Sequence, residues 1–104
     1  MNSLDLETLK AYKLPILIDF GSEGCMPCKM MEPDLKAANS ELRGKAIIKF
    51  IDVWEYPEAA AGFNFSLIPT QFYFDKEGNL QGSHTGALTK DEIVSIMKEM
   101  GMEE

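Results

Sequence analysis

Pro15-Ile16-Leu17-Ile18-Asp19-Phe20 is an apolar run broken by a single carboxylate. A strand without polar alternation has no face to give to water, so this run reads as a strand buried on both faces, as in a parallel sheet. Gly21-Ser22-Glu23-Gly24 follows as a loop. Beyond it Cys28, Met31, Leu35, Ala38 and Leu42 recur at spacings of 3, 4, 3 and 4, which is one face of a helix, with Gly44 as its stop. Pro33 falls between the stripe positions and is expected to kink this helix by removing the bond to the carbonyl of Lys29. A buried strand, a short loop and an amphipathic helix in succession call for an α/β architecture.

Cys25-Met26-Pro27-Cys28 sits at the junction of loop and helix and holds both cysteines of the chain. A helix that begins here puts Cys25 where backbone N–H groups are unpaired and the helix dipole is positive, and both favour a thiolate. Cys28 lies one turn further in, on the inward stripe. The motif thus separates an attacking thiol from a resolving one. The same spacing is half of a zinc site, but such sites are usually closed by four Cys or His ligands, and the chain offers only His84 besides. A purely structural disulfide would close a very small loop and add little stability. Redox exchange is the best account of the motif.

The remaining segments complete the pattern. Residues from about Ser3 to Ala11 read as a short amphipathic helix with Leu6 and Leu9 inward. Ala46 to Asp52 is a second apolar strand, and Pro57 opens a short helix ending near Phe63. Gln71–Asp75 and Leu80–Thr85 read as a hairpin across Lys76-Glu77-Gly78-Asn79. Thr89-Lys90-Asp91-Glu92 is a capping-box pattern that starts a last helix, with Ile93, Ile96, Met97 and Met100 on its core face and Gly101 at its end.

Ile16-Leu17-Ile18-Asp19-Phe20, then Cys25-Met26-Pro27-Cys28-Lys29-Met30, then Pro33, resembles the active-site segment of the thioredoxin family. A distant segment agrees: Ile68-Pro69-Thr70 directly precedes the apolar strand Gln71 to Phe74. The resemblance runs from about Leu14 onwards. It implies a thioredoxin fold, with a central mixed sheet of four strands flanked by helices, or five should the family's extra N-terminal strand form. It also implies a single domain over residues 1–104, and reduction of protein disulfides through a Cys25–Cys28 couple with no other cofactor and no metal. The departures lie beside the motif. Thioredoxins usually carry Trp-Cys-Gly-Pro-Cys, where this chain has Gly24 and Met26, and a second customary tryptophan is Gly21 here. The surface around Cys25 is therefore expected to be less aromatic.

The resemblance further implies that Asp19 lies beneath the disulfide and accepts the proton of Cys28, and that Lys49 pairs with Asp19. It makes the Ile68–Pro69 bond cis and packs it beside the motif, so that Gly24, Met26, Pro27, Ile68, Pro69 and Gly86 surround a substrate segment. A buried carboxylate is expected to hold its proton more tightly than usual. His84 reads as a surface residue of an edge strand, and Trp54 and Tyr56 as packing at the edge of the second strand. Met26 and Met30 offer apolar contact beside Cys25.

With 104 residues and 45% apolar content the chain can build one core. A net charge of −7 argues against nucleic acid or an anionic membrane surface as partner. No apolar run approaches the roughly 20 residues that span a bilayer. Met1 to Lys10 lacks the basic and apolar regions of a signal peptide, so a cytoplasmic location is expected, where a CxxC is more often catalytic than structural. The expected partners are disulfide-containing proteins and an upstream reductase such as thioredoxin reductase, with the chain itself monomeric. Two other readings stand beside this one. The first is a dedicated electron carrier for one partner, such as a membrane thiol transporter, a peroxidase or a specialised reductase. The second is a non-catalytic binding or metal-binding module.

Overall fold

A computed structural model describes residues 5–103. The elements follow in the order α1 (Leu6–Lys10), β1 (Ile16–Gly21), α2 (Met26–Glu41), β2 (Ile47–Asp52), a 3-10 turn (Pro57–Ala60), β3 (Thr70–Phe74), β4 (Leu80–Thr85) and α3 (Lys90–Glu99). The four strands form one sheet in the order β2-β1-β3-β4. β1 runs parallel to β2 and antiparallel to β3, and β3 is antiparallel to β4. This is the mixed four-stranded sheet expected.

β1 is central and buried along its whole length, which is why it shows no polar alternation. Its side chains alternate between two cores. Leu17 faces α2 and α3 and packs with Met31, Leu35, Ala38, Ile48, Ile93 and Met97. Ile16, Ile18 and Phe20 face the other way, against Leu9, Ile51, Phe72 and Phe74. Phe20 anchors that second layer, with its ring centroid 5.1 Å from Phe63 and 5.0 Å from Phe65. All five stripe residues of the long helix segment are buried.

α2 runs unbroken through Pro33. α1 starts at Leu6 under the cap of Asp5, whose carboxylate accepts the Thr8 N–H at 3.3 Å. Ser3, where this helix was expected to begin, lies outside the described residues. The short helix at Pro57 ends at Ala60 rather than near Phe63, because Ala61 is extended and Gly62 has a φ of +89°. The capping box of α3 is present in both directions. Among the described residues no helix is long and apolar enough to cross a membrane.

Candidate active site

Cys25 is the N-cap residue of α2, and its sulfur accepts the N–H of Cys28 at 3.2 Å. Extended backbone at Cys25 (φ −98°, ψ 113°) turns the chain out of the loop and into the helix. Pro27 falls in the first turn, where a missing N–H leaves no bond unmade. No acidic residue occupies that turn, so nothing in it opposes a thiolate at the positive helix end. The two cysteines are joined as a disulfide with their Cα atoms 5.2 Å apart. They differ in access: Cys25 is half-buried, whereas Cys28 is 6% exposed beneath the first turn.

The Ile68–Pro69 segment forms the opposite wall. Its peptide bond is cis, and the carbonyl oxygen of Ile68 lies 3.8 Å from the Cys25 sulfur. Gly86, with φ +110°, is tied to the same segment by its N–H, which donates to the Pro69 carbonyl at 2.8 Å. Gly24, Met26 and Pro27 lie exposed on the other side of Cys25, Met26 to 68%. A groove of ≈ 650 Å³ opens beside Cys25, lined by Glu23, Gly24, Asp52, Trp54, Glu55 and Ile68.

Asp19 is 1% exposed, one residue pair down β1 from Gly21. A Cβ on Gly21 would sit 3.0 Å from the Cys28 sulfur, so the face of β1 that carries Asp19 is the face Cys28 packs on. One carboxylate oxygen of Asp19 accepts the side-chain N–H of Gln71 at 2.9 Å. The other has no hydrogen-bond partner among the described residues. Burial pushes the Asp19 pKa up from 3.8 to about 6, while the Gln71 hydrogen bond pulls it back.

Lys49 does not meet Asp19. It is paired in register with Ile18, and its strand neighbours Ile47 and Ile51 lie in the aromatic core on the far side of the sheet. Strand alternation therefore sends Lys49 to the face opposite Asp19, and the residue paired with Asp19 is Phe50. No ion pair joins the two among the described residues. The partner of Asp19 is Gln71 instead. Its signal in the sequence was faint: one amide in an otherwise apolar strand, opposite the one carboxylate in another.

Two further residues differ from the expectation. His84 is half-buried, with Nδ1 2.9 Å from the Gln71 side-chain oxygen. Trp54 does not pack at the sheet edge but is 78% exposed on the rim of the groove beside Cys25. Asp52 holds it there by accepting the N–H groups of Trp54 and Glu55 at 2.9 and 3.1 Å. Gly21 has a purpose as well, because it leaves room for the Phe50 ring and the Cys28 sulfur, each 3.0 Å from where its Cβ would be. Among the described residues no three side chains of metal-ligating type come together.

This geometry has close counterparts. The thioredoxin family model matches residues 6–99. The chain is 32% identical over 96 residues to thioredoxin 1 of Chlorobaculum tepidum, covering 91% of this chain and 94% of that one. It is 30% identical over 95 residues to the thioredoxin of Pseudomonas aeruginosa, with 91% and 86% covered. The fold superimposes on the thioredoxin of Fasciola hepatica with a TM-score of 0.80 at 25% identity, over 96% of this chain and 99% of the other. It also superimposes on chloroplastic thioredoxin z with a TM-score of 0.79 at 20% identity, over 96% and 93%. The chain belongs to the thioredoxin family and is a thiol–disulfide oxidoreductase that acts on protein disulfides.

Proposed function

We propose that Cys25-Met26-Pro27-Cys28 is the complete redox centre of a general protein-disulfide reductase, with Cys25 as the attacking thiol and Cys28 as the resolving thiol. The observation that carries this order is the asymmetry of the two sulfurs. Cys25 caps the helix, is half-buried and faces the Ile68 carbonyl; Cys28 is buried behind it. The Cys25 thiolate attacks one sulfur of a substrate disulfide and the other sulfur leaves, taking up a proton. A mixed disulfide results. Cys28 gives its proton to Asp19, attacks the Cys25 sulfur and releases the substrate's second thiol. The two electrons then reside in the reduced substrate, and Cys25–Cys28 is a disulfide until an upstream reductase, such as thioredoxin reductase, returns two electrons to it.

The substrate segment lies in the groove as an extended strand, against Ile68 and Pro69 on one side and Gly24, Met26 and Pro27 on the other, with Gly86 holding the Pro69 carbonyl in place. Pro69 lacks an N–H and so sets no competing donor before the sulfur. The working unit is one domain over residues 1–104, a monomer in the cytoplasm, with no cofactor beyond the disulfide.

Dithiothreitol-driven reduction of insulin tests this reading. Wild type is expected to turn over, Cys25→Ser to be inactive, and Cys28→Ser to be inactive while trapping mixed disulfides through Cys25. Trapping through Cys28 instead would reverse the roles. An inactive wild type that still forms its disulfide would point to a carrier with a single partner.

A further inference from the structure

Three polar residues stand side by side across the sheet. Asp19 on β1 is paired with Gln71 on β3, and Gln71 with His84 on β4. The pairs put their side chains on one face, the face of α2. Their contacts form a chain. The Gln71 amide nitrogen lies 2.9 Å from Asp19 Oδ1 and 3.1 Å from the Gly86 carbonyl oxygen, and its oxygen lies 2.9 Å from His84 Nδ1.

The chemistry of the partners fixes the direction of every bond. A backbone carbonyl can only accept, so the amide edge that faces Gly86 must be the NH2. The same NH2 then faces Asp19 and favours its ionised form, which also only accepts. The amide oxygen is left for His84, which must donate from Nδ1 and so carries its hydrogen there. A protonated Asp19 can hold its O–H on the other oxygen and still accept the amide N–H at Oδ1, but a neutral oxygen accepts more weakly than a carboxylate. Turning the Gln71 amide over to meet a carboxyl O–H would set its oxygen against the Gly86 carbonyl and take away the acceptor of His84. We infer that Gln71 and His84 are positioning residues, forming a relay that holds the Gln71 amide in the one orientation that stabilises the Asp19 carboxylate.

Asp19 is paired in register with Phe50 on β2 and Gln71 on β3, and Cys28 packs on the same face of β1. Met31 touches the Gln71 amide, its sulfur 3.6 Å from the nitrogen. None of these is cationic, and Lys49 is on the other face. Cys28 is held in the disulfide. At the outer end, His84 feels the carboxylate of Glu92 in the first turn of α3. A freely turning amide could also offer its oxygen to a carboxyl O–H, which would weaken its preference for the ionised form.

The inference rests on the proposed function only where it reaches catalysis, since Asp19 must be ionised to take the Cys28 proton. Two readouts separate the steps. The first is the Asp19 carboxyl titration in the oxidised full-length protein, followed by carbon NMR of the side-chain carboxyls. The second is the pH profile of mixed-disulfide resolution by the reduced protein in single turnover with a disulfide-linked peptide. Gln71→Met, of similar volume, is expected to raise the Asp19 midpoint by about one pH unit, cutting the ionised fraction near pH 6 roughly five-fold. His84→Phe, which removes the donor to the amide oxygen, is expected to move it the same way by a smaller amount. His84→Asn, whose Nδ2–H occupies the position of Nδ1–H, is expected to restore the wild-type midpoint. His84 lies at a half-exposed edge position, so its variants test the relay even if Gln71→Met fails to fold. An unmoved Asp19 midpoint in His84→Phe, or no rescue by His84→Asn, overturns the relay. A midpoint that moves while the resolution profile stays put keeps the relay and removes Asp19 as the proton acceptor.

Discussion

Asp19→Asn is expected to make the oxidised protein more stable, but only above mildly acidic pH. Burial raises the Asp19 pKa from 3.8 to about 6. The folded protein therefore binds the Asp19 proton more tightly than the unfolded chain does. Between those two values the native state carries more protons, so stability falls as pH rises through the window and levels off above it. A shift of about two units at 1.36 kcal/mol each is about 3 kcal/mol. Asparagine never ionises and escapes this loss. It still accepts from Gln71, and its NH2 takes the place of a carboxyl O–H at the oxygen that has no partner. At acid pH variant and wild type thus bury similar neutral groups and should have similar stability. Urea unfolding of the two disulfide forms at a series of pH values from 3 to 8 checks this. The curves should coincide near pH 3, separate between about 4 and 6, and stay apart by about 3 kcal/mol, on the order of 10 °C in Tm for a chain of this size. Parallel pH profiles would refute the argument, because they would mean that Asp19 titrates alike in the folded and unfolded states.

Gly21→Ala is expected to destabilise the oxidised form by about 1–3 kcal/mol, the usual range for overpacking, because the new Cβ would sit 3.0 Å from a disulfide sulfur that cannot swing aside. An unchanged urea midpoint would show that α2 shifts freely over β1. Thr89→Ala removes one arm of the capping box of α3, in which Thr89 Oγ1 accepts the Glu92 N–H at 3.2 Å and Glu92 Oε1 accepts the Thr89 N–H at 2.9 Å. It is expected to lower stability by about 1 kcal/mol without changing insulin turnover; lost turnover at intact stability would tie α3 to the site.

The elements were legible because their signals are local. The stripe through Cys28, Met31, Leu35, Ala38 and Leu42 is set by the helix period, and each of its members is buried. The capping box and the hairpin are likewise written within a few residues. The motif was legible from its spacing at a helix start, whereas the place of Asp19 beneath it and the cis Ile68–Pro69 bond came through family resemblance. What failed was register. Lys49 lies beside residues that match the pattern, yet one step along a strand moves a side chain to the other face, and nothing in the sequence fixes that step between β1 and β2. Gln71 went unread, and His84 was read as a surface residue, for a related reason. Neither signals a partner alone, and only the pairing of β1, β3 and β4 brings them into line with Asp19. Trp54 was misread because its place depends on a turn held by the Asp52 side chain, not on any periodic pattern.

The missing tryptophans follow the same logic of neighbours. Gly21 and Gly24 take the aromatic side chains away from the segment next to the disulfide. The structure supplies rings from β2 and the turn after it. Phe50 reaches over Gly21 to within contact of the space its Cβ would fill, and lines a cavity of ≈ 640 Å³ together with Cys28. Trp54 stands exposed on the groove beside Cys25. A tryptophan at position 21 could not coexist with Phe50 where it is, because even a methyl group there meets its ring at 3.0 Å. The glycine and the phenylalanine are therefore one solution, in which the wall beside Cys28 is built from β2 rather than from β1. That exchange ties the apolar surface near the sulfurs to β2, which is joined to the sheet only through β1 among the described residues. Phe50 is thus carried on an edge strand, while Asp19 and Gln71 lie in the central strands β1 and β3.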